Sequence, residues 1–298
     1  MNYFLKEKLT NLNIEYKQDV PMSEHTSFKI GGNADCLITV KNTDELKTVI
    51  SVCRECNVPY MLIGNGSNLL VSDNGIKGAV IRLEGEFKDI TIKGDTIVAG
   101  AGASLTKLCL DAWKASLTGL EFGYGIPGSV GGAAYMNAGA YGGEMKDVVV
   151  SCTHLDPELN VGEFTLNELD LSYRHSVYMK GEYIILSVTL KLKKGDSTAI
   201  KNRMDELMQK RKDKQPLEYP SAGSVFKRPE GAFAAALIEE CGLKGRQVGG
   251  AQVSEKHSGF IVNKGGATCQ DVLDLVKIIQ DEVKSKTGFD LHREIIHI

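Results

Sequence analysis

Three residues combine a reactive type with a local setting that could use it. Arg174 lies in Leu171-Ser172-Tyr173-Arg174-His175-Ser176, Ser224 in Tyr219-Pro220-Ser221-Ala222-Gly223-Ser224-Val225-Phe226-Lys227-Arg228-Pro229, and Glu294 in the closing LHREIIHI. A guanidinium keeps its charge at any working pH and polarises a carbonyl or carboxylate. A serine held by Gly223 beside two cations could give a proton to a developing carbanion, provided the site stabilises the alkoxide or relays a proton. In an extended end strand Glu294 shares a face with Ile296 and Ile298 and opposes Leu291, Arg293 and Ile295. A carboxylate on an apolar face holds its proton more tightly, which suits proton work. Each has a plainer alternative: Arg174 as a surface charge at a strand end, Ser224 bonded to its own turn, Glu294 solvated. His175 reads as a structural histidine. No GxSxG surrounds Ser224, which argues against a hydrolase nucleophile.

Two glycine tracts could hold an anion or a flat ring. Gly64-Asn65-Gly66-Ser67-Asn68-Leu69-Leu70 follows the apolar run PYMLI. Its glycines let backbone N–H groups turn toward an anion, and Asn and Ser add donors, so it is either a pyrophosphate cradle or a tight turn. It matches neither GxGxxG nor GxxxxGK[ST]. From Gly119 to Gly143, nine of twenty-five residues are glycine, which argues against regular helix through much of that stretch. Such density removes side chains where a ligand must lie on the backbone, with a purely structural need as the alternative.

The elements that must position these residues alternate between strand and helix. MNYFLKEKLTNLNIEYKQ reads as a short amphipathic helix, and MSEHTSFKIGGNADCLITVKN as a turn and a strand. A helix from Thr43 to about Asn57 and the strand VPYMLIG complete a strand–helix–strand unit before the first glycine loop. GAVIRL and ITIKGDTIVAG read as short strands, Ala103–Ala115 as a helix, VVVSCTHLD and EYIILSVTLKLKK as strands, and Asp196–Lys214 as a charged helix. In the final third, AFAAALIEECG is a helix closed by Gly242 and GFIVNKGG is a strand. Thr268 and Asp271 form a capping box. Val272, Leu275, Val276, Ile279 and Val283 then give the stripe of a packed helix, stopped by Gly288, before a last strand LHREIIHI. A main division near Lys194 follows.

Bulk properties exclude several classes. Net charge is −3 with no long single-sign block, which argues against nucleic acid as a partner. No stretch approaches the roughly 20 apolar residues of a membrane helix, and the first residues lack a signal-peptide core, so a cytosolic protein is expected. Seven cysteines, an odd count, suggest free thiols. Cys53 and Cys56 form a lone CxxC on a helix whose Leu46, Val49, Ile50 and Cys53 share a face, so a core-facing Cys53 is expected, with no metal site.

Taken together, these tracts resemble the UDP-N-acetylenolpyruvoylglucosamine reductase family, flavoenzymes of peptidoglycan precursor synthesis. The matching tracts are HTSFKIGG, GNGSNLL, GIPGSVGGAAYMNAGAYGGE, SYRHS, YPSAGSVFKRP, GLKGRQVGGAQVSEKHSGFIVN and the glutamate of LHREI, spanning His25 to Glu294. The resemblance implies an α/β (α+β) fold: a two-subdomain FAD-binding unit of the vanillyl-alcohol-oxidase (PCMH) type plus a C-terminal α/β substrate domain. The expected divisions are residues 1–80, 81–194 and 195–298.

It implies non-covalent FAD, its pyrophosphate over Gly64, Asn65, Gly66, Ser67, Asn68 and Leu69, and over Gly125, Ile126, Pro127, Gly128, Ser129, Gly131, Gly132, Asn137, Ala138 and Gly139. NADPH would be the hydride donor and UDP-N-acetylglucosamine enolpyruvate the acceptor. Arg174 would bind the enolpyruvyl carboxylate and, with Glu294, stabilise the enolate-like intermediate, while Ser224 would protonate C2. Tyr173, Lys227 and Arg228 would lie near substrate or flavin.

Residues Leu186–Lys214 contain no tyrosine, so the chain resembles the branch without a tyrosine-bearing lid. Lys212, Lys214 and Arg228 are then candidates to cover the diphosphate. Some relatives have proline before the catalytic glutamate, where this chain has Arg293. A monomer or weak oligomer is expected. The alternatives are a flavin oxidase of the same fold, which would often tether its flavin through a His or Cys that GNGSNLL lacks, or a non-catalytic UDP-sugar-binding module, against which Arg174, Ser224 and Glu294 all count.

Overall fold

The computed structural model describes residues 2–298. Along the chain, α1 (Tyr3–Asn11) precedes β1 (Glu15–Pro21) and β2 (Asn33–Val40), and α2 (Thr43–Glu55) leads to β3 (Tyr60–Ile63), the short β4 (Leu69–Leu70) and β5 (Ile76–Leu83). A hairpin of β6 (Ile90–Lys93) and β7 (Thr96–Gly100) is followed by α3 (Leu105–Lys114), β8 (Leu117–Thr118), α4 (Val130–Tyr135), β9 (Gly139–Ala140) and β10 (Gly143–Glu144). Then come β11 (Val149–Leu155), β12 (Val161–Thr165), β13 (Ile184–Lys191), β14 (Lys193–Lys194) and α5 (Ser197–Lys214). The remainder holds α6 (Ala234–Glu240), β15 (Gln247–Val248), β16 (Ala251–Val253), β17 (Ile261–Asn263), α7 (Cys269–Thr287) and β18 (Ile296–His297).

The chain divides into two compact units of non-contiguous segments. The first comprises residues up to 17, 36–65 and 78–211; the second comprises 18–35, 66–77 and 212–298. The expected divisions after residues 80 and 194 both fall inside the first unit. The cause is side-chain packing that local pattern does not encode: Phe28, Ile30 and Leu70 are buried in one core with Val225, Ile261, Val272, Leu275 and Ile279.

The first unit contains two cores. One gathers Leu5 and Leu9 of α1, Leu46, Ile50 and Cys53 of α2, and Ile38 and Ile81 of a four-stranded sheet ordered β1-β2-β5-β3. In that sheet β3 runs parallel to β5. The other core lies on an antiparallel sheet ordered β12-β11-β13-β7-β6, where Ile97, Val188 and Leu190 meet Leu105 and Leu108 of α3 and Val130 of α4.

The second unit places α7 against the small sheet β15-β16-β17. α7 follows the sequence closely. Thr268 Oγ1 accepts the Asp271 N–H and Asp271 returns the bond, the expected stripe from Val272 to Val283 is buried, and Gly288 ends the helix at φ +79°.

One local expectation differs from the structure, and two others are sharpened by it. The glycine tract does contain a helix, α4, because Ser129 caps it through the Gly132 N–H and Gly131 allows close approach: a Cβ there would lie 2.7 Å from that of Ala101. LHREIIHI forms only the two-residue β18 and one bridge from Arg293 to Phe226. Its buried side is Leu291 and Ile295, so Glu294 lies half-buried away from the core-facing residues. Cys53 is fully buried, and that burial raises its thiol to about 11; all seven cysteines are free.

Candidate active site

In the first unit, Arg174 occupies a tight turn in which the Ser172 and His175 backbones bond each other in both directions. Arg174 itself has φ +51°, a left-handed conformation that a branched-free but Cβ-bearing residue adopts only when its surroundings impose it. Those surroundings are explicit. The Asn137 amide donates to the Ser172 carbonyl at 2.9 Å, Ser176 Oγ donates to the Tyr135 carbonyl at 2.7 Å, and Arg174 Nη2 reaches the Gly139 carbonyl at 3.3 Å. The guanidinium stacks 5.1 Å from the ring of Tyr173, which is exposed. His175 bonds Asp170 through Nε2, a structural contact.

Asn137 is the hub of this region. It is fully buried, and besides Ser172 its amide donates to Glu144 at 2.9 Å while its oxygen accepts the Lys146 N–H at 2.9 Å. Its side chain is spent on the protein, and its backbone N–H donates to the Ala134 carbonyl at 3.1 Å, so the expected direct contact with a cofactor is replaced by a structural role. Ala138 likewise serves the local chain, donating to Ala133 and accepting from Met145.

The loop after β3 docks beside the same tract. Asn65 Nδ2 donates to the Pro127 carbonyl at 3.1 Å, and a Cβ on Gly64 would collide with Ser129 Oγ. Gly64, Asn65 and Gly132 are exposed around the buried Ser129, whose hydroxyl caps α4, so bare backbone faces outward there. Other glycines answer to packing instead: a Cβ would lie 2.7 Å from Glu144 at Gly139 and 2.7 Å from Phe122 at Gly143. Gly125, between Tyr124 and Ile126, has φ +89°, and a Cβ there would press on Met208 and Arg211. The Gly128 carbonyl accepts the Leu105 N–H, joining the tract to α3.

In the second unit, four distant tracts converge on Ser224 and Glu294. Ser224 bridges to Phe260, the Val225 N–H donates to the Gly259 carbonyl at 2.9 Å, and the Glu294 N–H donates to the Val225 carbonyl at 2.7 Å. Asn68 Nδ2 donates to the Glu294 carbonyl at 3.2 Å, and the Ile296 N–H donates to the Asn68 carbonyl at 2.9 Å. β4, which begins at Leu69, runs parallel to β18. Gly66 turns at φ +62° against the His25 carbonyl, and the Ser27 N–H donates to the Gly66 carbonyl. Ser67, Ser224 and Glu294 are half-buried. Lys227, Arg228, Lys212 and Lys214 are exposed; Arg228 stacks 4.7 Å from the Phe233 ring.

The sequence reading missed Arg211. It belongs to a charged run, yet the residue is 7% exposed, beside the Gly125 turn with its guanidinium 5.6 Å from the Tyr141 ring; burial lowers its affinity for its proton. The signal was its place on the apolar side of α5, with Ile200, Met204 and Leu207. Among the described residues, no group of three or more His, Cys, Asp or Glu is arranged to hold a metal.

Residues 215–298 match the family model for the UDP-N-acetylenolpyruvoylglucosamine reductase C-terminal domain, and residues 34–160 match an FAD-binding domain. A UDP-N-acetylenolpyruvoylglucosamine reductase of Clostridium botulinum is 54% identical over 277 residues, 93% of this chain and 90% of that protein. The chain belongs to the UDP-N-acetylenolpyruvoylglucosamine reductase family. A member from Clostridium novyi is 50% identical over 281 residues, 94% of this chain and 91% of that protein. The crystal structure of the Thermus caldophilus reductase superposes with a TM-score of 0.82 at 39% identity, covering 95% of this chain and 98% of that one.

The fold is therefore that of the family, an α/β FAD-binding architecture with the family's C-terminal domain, and the chain is an FAD-dependent oxidoreductase. The residues fit that cofactor: Gly64 and Gly132 are exposed and lack side chains, so a diphosphate can approach the backbone directly. Among the described residues, no helix is long and apolar enough to cross a membrane.

Proposed function

We propose that this chain reduces the enolpyruvyl ether of UDP-N-acetylglucosamine to UDP-N-acetylmuramate in peptidoglycan precursor synthesis, with NADPH as hydride source. The observation that carries the reading is the union of Ser224 and Glu294 through the 2.7 Å bond from the Glu294 N–H to the Val225 carbonyl. Identity of 50–54% to named reductases across more than 90% of the chain supports it.

Bound FAD supplies the two-electron chemistry that links NADPH to the enolpyruvyl group. Gly64 to Leu69, and Gly125 to Ser129 with Gly131, Gly132 and Gly139, would hold its diphosphate. The residues handle charge and proton. Hydride arrival at C3 of the enolpyruvyl group leaves negative charge on C2 and its carboxylate, where a fixed cation is worth most. Arg174 binds that carboxylate, and its imposed turn keeps the guanidinium in one orientation without further ordering cost. Glu294 shares in stabilising the enolate, and Ser224 Oγ delivers the proton to C2. Tyr173 lines the carboxylate side. Lys227 and Arg228, with Lys212 and Lys214, take the substrate diphosphate, since no lid tyrosine is present. The two cores of the first unit correspond to two FAD-binding subdomains, and the C-terminal residues to the substrate domain.

The test is anaerobic visible absorbance. Flavin bands should bleach with NADPH and return when UDP-N-acetylglucosamine enolpyruvate is added. A protein that takes up no FAD sinks the reading, and bands that return only with oxygen point to an oxidase.

A further inference from the structure

Ser224 is registered on one side by a single bridge to Phe260 and by the 2.9 Å bond from the Val225 N–H to the Gly259 carbonyl. The turn that presents this carbonyl is closed by an imidazole. The Gly259 N–H donates to His257 Nδ1 at 3.2 Å, the Phe260 N–H donates to the His257 carbonyl at 2.9 Å, and the His257 ring stands edge-on to Phe260 at 5.0 Å. The turn is also pinned from outside: Ser254 Oγ accepts the His257 N–H at 3.2 Å, and Ser258 Oγ donates to the Ala235 carbonyl at 2.6 Å.

An Nδ1 that accepts a hydrogen bond is unprotonated, so this contact selects the neutral tautomer with its proton on Nε2. A proton on Nδ1 would set donor against donor at the Gly259 N–H. We infer that His257 is a positioning residue for Ser224: its neutral imidazole closes the turn that registers the serine, and protonation at Nδ1 releases that register. The inference rests on Ser224 being the proton donor of the reaction proposed above.

The local charges favour the neutral form. Burial, the largest cause, holds the imidazole below its ordinary range and Lys244 and Lys214 push the same way; a hydrogen bond to its own backbone, and Glu239, paired with Lys244 at 2.6 Å, oppose them without reversing the direction. The folded-state value thus lies below the unfolded value of about 6.5. Support for the closed turn is complete above that unfolded value and is lost as pH falls through the lower folded one.

The test follows flavin reoxidation by the enolpyruvyl sugar in the NADPH-reduced holoenzyme across pH. Wild type should lose reoxidation rate on an acid limb below pH 6.5, while flavin reduction by NADPH lacks that limb. His257→Asn puts an amide oxygen where Nδ1 sits and should keep the rate but lose the limb. His257→Ala should be slower at every pH, by about 10-fold or more, with KM little changed. An acid limb that survives in His257→Asn, or a wild-type rate in His257→Ala, overturns the inference. Amide exchange at Val225 reads the same turn without catalysis: its protection should fall with acid in wild type and not in His257→Asn. If wild type fails to reoxidise at all, the reductase reading falls, and the Val225 amide alone decides the role of His257.

Discussion

In the first unit the Tyr173-Arg174 turn is held by buried side chains. Asn137 makes three bonds from a fully buried position and Ser176 a fourth, and together they impose φ +51° on Arg174. In the second unit Ser224 and Glu294 are held mainly by backbone: two isolated bridges, two N–H to carbonyl bonds between their tracts (Glu294 to Val225 and Lys227 to His292), and a two-residue strand pair. Side-chain buttresses suit a residue that must keep a fixed charge in a fixed place. Backbone pairing sets the positions of the acid and the serine through main-chain bonds. The first arrangement concentrates risk in one residue, and the second spreads it over several weak contacts.

The largest effect that follows is at Asn137. Asn137→Ala strands the Ser172 carbonyl, the Lys146 N–H and Glu144, and places alanine at φ +41°, so a loss of about 2–4 kcal/mol is expected in denaturant unfolding. A loss below 1 kcal/mol would remove the contrast between the two regions. Next comes Gly64→Ala, whose Cβ meets Ser129 Oγ; FAD affinity, read by flavin fluorescence, should fall by about 10-fold. Adding Ser129→Ala should recover part of that loss, and strict additivity would mean the two positions do not share the cradle. Smallest is Asn68→Ala in the backbone-held region, which removes one 3.2 Å bond to the Glu294 carbonyl and should cost about 0.5–1.5 kcal/mol. A cost matching that of Asn137→Ala would mean the second region also depends on one residue.

Much of this was legible in the sequence, and the limits are physical. α7 was readable in full because cap, stripe and terminating glycine are all local signals. Arg174, Ser224 and Glu294 stood out by residue type, but their setting did not. The left-handed φ of Arg174 comes from Asn137, thirty-seven residues away, and no local pattern announces it. The glycine tract was visible as unusual, yet several of its glycines serve close packing against Ala101, Glu144 and Phe122 rather than a ligand. Glu294 does lie opposite the buried Leu291 and Ile295, but the strand is not continuous: its pairing is split between Phe226 and Leu69, which no local pattern in LHREIIHI announces. The unit boundaries escaped because Phe28 and Leu70 pack with residues some two hundred positions later.

The measurement that bears most directly on the account is single-turnover flavin absorbance with Ser224→Ala. The account predicts that NADPH bleaches the bound flavin as in wild type while UDP-N-acetylglucosamine enolpyruvate restores it slower by about 100-fold or more, the size of a lost general acid. Reoxidation close to the wild-type rate would contradict it, and the proton would have to come from a group other than Ser224.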